Sequence, residues 1–392
     1  MKKTDKHRIY LDNNATTFVD PKVLRDILPY FKECCGNASS IHGFGRKARM
    51  AVEDARETVY KLIGADSSDE IIFTSGGTES DNLAIQGICK GLKKNGNHII
   101  TSAIEHKAVL NTAKLMESEG FRVTIVPVDK NGFIDLDFLS NAIKDDTILV
   151  SIMYANNETG IIQDIKKISE IVKKRNIVFH TDGVQALGKL SLKVNELGVD
   201  LVSLSAHKIY GPKGIGILYL RKGIPIVPMV KGGHQEKARR PGTENVPGIV
   251  GFASAMKLAD SGFDENNEKI KSLKHRLYKG LAANVGDIQV NGPIDMTLSN
   301  TLNISFKFVE GESILLNLDM KGVACSTGSA CTSGSLEPSH VLSAMKVDPV
   351  SAQGAVRFSL GKYTTKEEID YTVSILPEII KKLRKMSPLY EA

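Results

Sequence analysis

Short apolar runs alternate with longer segments whose apolar residues recur every three or four positions through roughly the first 260 residues. EIIFTSGG, NHIITSAIEH, RVTIVPVD, TILVSIMYANN, NIVFHTDG, VDLVSLSAHK and GIGILYL predict strands buried on both faces. Between them AVEDARETVYKLIG, KAVLNTAKLMESEG and IKKISEIVKKRN predict amphipathic helices. Their glycine or asparagine ends predict the stops. Strand and helix in alternation specify an α/β fold with a mainly parallel seven-stranded sheet wrapped by helices.

Near Gly262 the texture changes. FDENNEKIKSLKHRLYKGLAANV predicts a helix, NTLNISFKF and GAVRFSLGKY strands, and a closing helix starts at Lys366. We expect a large domain over 16–261 and a smaller α+β domain made of 1–15 with 262–392. Within the latter, CSTGSACTSGS (Cys325 to Ser335) predicts an exposed, mobile loop over about 325–337, because Ser, Thr, Gly and Ala offer little to pack.

Composition narrows the function classes. The 392 residues suit two or three domains, and 42% hydrophobic with 24% charged residues suits a soluble protein. The net charge of +6, from 51 basic and 45 acidic residues, is too even and scattered to expect direct nucleic-acid binding. The basic IIKKLRKM reads as a solvated helix face. No apolar run reaches the roughly 18 residues of a membrane span, and MKKTDKHRIYLDNNATT lacks the apolar middle of a secretory signal. Five cysteines, an odd number, do not make a disulfide framework, so a reducing cytoplasm is expected. Two of the five share the polar loop, where a structural thiol is out of place and a working thiol is not.

Ligands of such sheets bind beyond the carboxyl ends of the strands. IIFT is followed by SGGTES and a helical pattern, a turn whose free amides could cradle a phosphate, without the spacing of a nucleotide P-loop or a dinucleotide fold. NIVFHT is followed by Asp182 and Gln185, and VDLVSLS by His207 and Lys208. Singly, each has a bland reading: a strand-end lysine is usually a surface charge. Together, a lysine for an aldehyde, a carboxylate for a pyridine nitrogen and donors for a phosphate form the set that pyridoxal phosphate requires. His106 follows another strand, where an imidazole could stack on the cofactor ring and move protons; Asn156 and Asn157 follow the next, with amides suited to cofactor-ring or substrate oxygens. The plain alternatives are a surface histidine and a turn pair.

IYLDNNATT, FTSGGTESDN, EHKAV, YANNETG, HTDGVQ, SAHKIYGPKGIG, GGHQEKARRPGTEN, GSACTSGSLEPSHVL and VRFSLG resemble, in order, the motifs of the pyridoxal-phosphate cysteine desulfurases of the nitrogenase-associated and iron–sulfur-cluster branch, in the class-V aminotransferase superfamily. The likeness runs from Tyr10 to about Asp370. It implies fold type I, a homodimer, and conversion of L-cysteine to L-alanine with sulfur left as a persulfide. Carried over, Lys208 bonds the cofactor aldehyde and moves protons, Asp182 pairs with the ring nitrogen, Gln185 with the ring oxygen, and His106 stacks on the ring. Gly77, Thr78, Ser205 and His207 hold the phosphate, and Thr243 reaches the phosphate of the neighbouring subunit. Asn157 and Arg357 grip the substrate, the arginine fork suiting a carboxylate.

Cys331 matches the nucleophile, which takes the sulfur and presents it to an iron–sulfur scaffold protein or another acceptor. No intrinsic metal is implied, although Cys331 could contact a cluster on such a partner. Gly183 stands where the family often has alanine, a change expected to matter little; Cys325 could resolve a persulfide or form a disulfide with Cys331 but is read as a bystander, and Cys34, Cys35 and Cys89 receive no role. A selenocysteine lyase or ordinary aminotransferase on the same scaffold, and a non-catalytic sulfur-relay or assembly scaffold, are the competing readings. Cys331 opposes a plain aminotransferase, and the set Lys208, Asp182, Gln185 and Cys331 opposes a scaffold.

Overall fold

The structure, a computed structural model, describes residues 8–327 and 339–390. Twelve strands lie among them: β1 (Ile9–Tyr10), β2 (Ile71–Thr74), β3 (His98–Ser102), β4 (Arg122–Val126), β5 (Thr147–Ser151), β6 (Val178–Asp182), β7 (Leu201–Ser205), β8 (Gly216–Leu220), β9 (Ile288–Val290), β10 (Thr301–Phe306), β11 (Val323–Ala324) and β12 (Ala355–Ser359). Seven build one sheet in the order β2-β8-β7-β6-β5-β3-β4. Only β8 runs against its neighbours, so the carboxyl ends of the other six share one edge. All seven apolar runs are strands of this sheet, and β2, β3 and β5 to β8 are buried along their whole length, but β4, at the sheet edge, departs from the expectation and keeps only Val126 buried. Helices cover both faces, which is why these strands are continuously apolar instead of alternating.

The helix stops are where the sequence puts them. Gly64, Gly120 and Asn176 take left-handed φ values of +68°, +91° and +53° at or just beyond three helix ends. A Cβ is strained in that region, and glycine and asparagine tolerate it best. Among the described residues no helix is long and apolar enough to cross a membrane.

β9, β10 and β12 form an antiparallel sheet, and β1 pairs with β11. Their apolar faces pack against the helices Phe263–Asn284 and Lys366–Met386 in a second core, to which Ile9 and Leu11 also belong. The helices His340–Ala344 and Pro349–Gln353 send Val341, Leu342, Met345 and Ala352 into the core of the seven-stranded sheet.

Two further expectations need correction. The basic end of the closing helix is solvated at Lys381, Lys382 and Lys385 but not at Arg384, which is buried and donates to the carbonyls of Lys307, Gly286 and Asp287 at 2.8–3.1 Å. Its charge stitches the helix to the β9–β10 region. Cys325 does not sit in an exposed loop: it directly follows β11 and packs, partly buried, against the second core. The next residue, Ser326, exchanges main-chain hydrogen bonds with Arg357 of β12 at 2.7 and 3.2 Å, so ordered pairing reaches further than the composition suggested. Cys331 and the rest of 328–338 lie outside the described residues.

Candidate active site

The shared edge of the sheet brings most of the candidate residues together. β6 ends on Asp182, whose Oδ1 accepts from the Val184 amide at 2.9 Å. β7 ends on Ser205 and passes into a single helical turn, Ala206–Lys208, that carries His207 and Lys208. β3 leads to His106, which caps the helix Lys107–Ser118 through Nδ1, accepting from the Ala108 amide at 3.1 Å. Gly77 and Thr78 open the helix Gly77–Leu92 after β2.

Lys208 Nζ donates to the carbonyls of Asn14 and Ala15 at 2.6 and 2.8 Å, which hold the amine over the N-terminal segment. Asn14 is a junction that sequence reasoning missed. Its carbonyl also accepts from Gln185 Nε2 at 3.0 Å, and its side chain links the Asn157 carbonyl, Thr301 and Asn300. The sequence signal was the motif IYLDNNATT, whose paired asparagines taken alone usually mean a turn.

Arg357, in β12, is 3% exposed. Its guanidinium donates to Asp12 at 2.7 Å and to the Asn157 carbonyl at 2.9 Å, while Nε is buried without a partner. Asn156 holds the local backbone together, its side chain capping the Glu158 and Thr159 amides and donating to the Ile104 carbonyl. Asn157 is half-buried at the same strand end. Thr243 lies apart from this cluster, exposed in the segment before the helix Val246–Ser261.

The electrostatics are those of a dry pocket. Burial lowers the basicity of His106, and burial reinforced by the Lys208 charge brings His207 down to about 4, so both imidazoles are neutral at pH 7. Burial raises the Asp182 carboxyl, a tendency that the charges of His106 and Lys208 oppose. Two more acids lie behind it that the sequence did not single out. Glu105, which accepts from Ser102 and from the Met153 amide, is pushed by burial up to about 8. Asp81 is raised by burial and by Asp182, and its Oδ1 has no hydrogen-bond partner. An added cation at Asp182 would relieve this crowding.

Ser205 Oγ and Gln185 Oε1 are also buried without a protein partner, which buried polar atoms rarely are. Ser205 Oγ lies 3.9 Å from where a Cβ on Gly76 would be, against the turn that opens the helix Gly77–Leu92. Backbone amides at that helix start, with Ser205, His207 and Thr78 around it, have the chemistry to hold a phosphate. Gly183 is tighter than expected: a Cβ there would come within 2.9 Å of Val202 Cγ1 and 3.0 Å of Leu204 Cδ2.

Comparison with known proteins fits this geometry. The family described as Aminotransferase class-V matches residues 9–372. A cysteine desulfurase IscS from Dictyoglomus turgidum is 52% identical over 383 residues, covering 98% of this chain and 97% of that protein. One from Methanosarcina thermophila is 50% identical over 386 residues, covering 98% and 95%. Among solved structures, a NifS-like protein superposes with a TM-score of 0.91 at 44% identity over 96% of this chain and all of the other. A structure described as SspA in complex with cysteine gives 0.81 at 35% identity, over 91% of this chain and all of the other. With likeness of this extent over nearly its whole length, the chain belongs to the class-V aminotransferases and, within them, to the cysteine desulfurases.

Proposed function

We propose that the protein converts L-cysteine to L-alanine with pyridoxal 5'-phosphate and passes the sulfur to Cys331 as a persulfide. The observation that carries this reading is the convergence of Lys208, Asp182, Gln185 and Ser205 at or just after adjoining strand ends, with Gln185 Oε1 and Ser205 Oγ buried and unpartnered. These residues fit the cofactor: Lys208 for its aldehyde, Asp182 for its ring nitrogen, Gln185 for its ring oxygen, and Gly77, Thr78, Ser205 and His207 for its phosphate. When bound, the cofactor supplies an electron sink that weakens the bond between the substrate's Cβ and sulfur.

The protein's own residues bind, orient and move protons. Arg357, fixed by Asp12, offers its fork to the substrate carboxylate, with Asn157 beside it. Neutral His106 can accept a proton, which an imidazolium could not. The Cys331 thiolate attacks the substrate sulfur: one C–S bond breaks, one S–S bond forms, and the carbon skeleton gains the proton that makes it alanine. Lys208 takes a proton from the substrate's Cα and returns one there.

We assign the persulfide to an iron–sulfur scaffold protein or another thio-cofactor pathway, and the enzyme to the cytoplasm, which suits free thiols at Cys34, Cys35, Cys89 and Cys325. A homodimer is supported by apolar side chains exposed on and near the helices Pro21–Lys32 and Gly43–Ile63, among them Phe31 at 70% and Ile41 at 91%. Thr243, exposed within its own subunit, is assigned to the partner's phosphate. The deciding assay measures alanine and sulfide from L-cysteine with a reductant. Equal amounts are expected; pyruvate or amino transfer without sulfide would overturn the assignment.

A further inference from the structure

Three consecutive residues without a glycine take left-handed conformations: φ is +48° at Glu236, +57° at Lys237 and +61° at Ala238. Side chains resist that region, so neighbouring contacts must hold the turn. Glu236 makes the first of them. Its buried carboxylate receives two hydrogen bonds from the Arg56 guanidinium, at 2.7 and 2.8 Å, and one from the Phe73 amide at 3.0 Å. Arg56 also donates to the Ile71 carbonyl at 2.8 Å and lies 4.8 Å above the Phe73 ring. β2 is an edge strand, so this ion pair occupies main-chain groups that a neighbouring strand would otherwise take.

The following residues continue along the same edge. Lys237 pairs with the Asp69 carboxylate, and Arg239 donates to the Asp69 carbonyl at 2.8 Å. Arg240 then forks onto Glu79 in the first turn of the helix Gly77–Leu92, at 2.8 and 3.3 Å. Glu79 in turn accepts from the Ser75 amide at 2.7 Å. The segment is therefore fastened to the chain before and after Ser75-Gly76-Gly77. Two adjacent glycines give that turn the most backbone freedom of any pair, and its order must come from its flanks. Arg240 also neutralises a carboxylate that would otherwise stand close to a bound phosphate.

We propose that residues 236–240 form a strap that positions the Ser75–Gly77 turn for phosphate, with Glu236 and Arg240 as its positioning residues. The proposal rests on the assignment of that turn to the cofactor phosphate. It gives the left-handed turn a purpose: that backbone lets one short segment reach both β2 and the helix behind it.

The test titrates cofactor-stripped enzyme with pyridoxal phosphate, and separately with pyridoxal, by absorbance, alongside thermal melts. Arg240→Gln should raise the pyridoxal phosphate Kd about tenfold. It should change pyridoxal binding and turnover at saturating cofactor by no more than about twofold. Glu79→Gln combined with Arg240→Gln should be no weaker than Arg240→Gln alone, because the neutralised carboxylate no longer opposes the phosphate. Arg240 and Glu79 are 31% and 18% exposed, so they decide the matter even where Glu236→Gln fails to fold. An unchanged Kd in folded Arg240→Gln, or an equal loss for pyridoxal, overturns the strap. Thr78→Val separates the two assignments. A loss there with none in Arg240→Gln removes the strap alone, whereas a parent enzyme that binds pyridoxal as tightly as pyridoxal phosphate removes the phosphate cradle and the strap's purpose with it.

Discussion

Arg357 and Asp12 meet at 2.7 Å although 345 positions separate them, and the contact leaves the buried Arg357 Nε without a partner. A guanidinium held at one end and unsatisfied at another is preorganised for a planar anion. Arg357→Lys keeps the charge and loses the fork. Charge-assisted hydrogen bonds are worth about 1.5–3 kcal/mol, so KM for L-cysteine should rise roughly 10- to 100-fold. The absorbance of bound cofactor should be retained. Steady-state kinetics checks this, and an unaltered KM would remove Arg357 from the substrate site.

The two cysteines six positions apart should behave differently. Burial pushes the Cys325 thiol well up, and the nearby Asp12 charge adds to that. It should resist iodoacetamide at pH 8 in the folded protein, since the thiolate is the reactive form. Cys325→Ser should release sulfide at close to the parent rate. Cys331→Ala should keep the cofactor colour and lose sulfide release. A collapse in Cys325→Ser, or full activity in Cys331→Ala, would reverse the two roles.

The strand ends carrying Asp182 and Lys208 were legible because each follows a long apolar run, and such runs in a doubly covered sheet end at one common edge. Asn14 and Asp12 were not legible. Their partners Lys208, Asn300 and Arg357 reach them only through the folded chain, and no local pattern encodes that meeting. Glu105 sits in an ordinary polar stretch, and its burial arises from contacts to Ser102 and Met153. Cys325 was misplaced because polar composition was read across it, while the pairing of β1 with β11 keeps the preceding residues ordered. Arg384 was misread for the converse reason: a basic helix end hides one side chain that caps carbonyls elsewhere.

Lys208 donates to the Asn14 and Ala15 carbonyls, which leaves it amine-bearing and held in place at the strand end. Reduction with borohydride should leave the cofactor covalently attached through unfolding in the parent enzyme. In Lys208→Ala the cofactor should separate from the unfolded chain. Retention in that variant, read by absorbance after gel filtration in denaturant, would locate the attachment at another lysine.

Glu105 should leave a signature in the pH dependence of stability. Burial raises its carboxyl from 4.5 to about 8, so the folded protein keeps the proton over a range where the unfolded chain has lost it. Its contribution to stability is therefore full below about 4.5, falls as pH rises, and is gone above about 8. His180 and His207, lowered mainly by burial to about 3 and about 4, act oppositely: they cost stability as pH drops below about 6.5. Subtracting the urea unfolding free energy of Glu105→Gln from that of the parent, pH by pH, cancels the histidines. The difference should decline by about 3–5 kcal/mol between pH 4.5 and 8 and then level. Parallel curves for the two proteins across that range would show that Glu105 is ionised in the folded state.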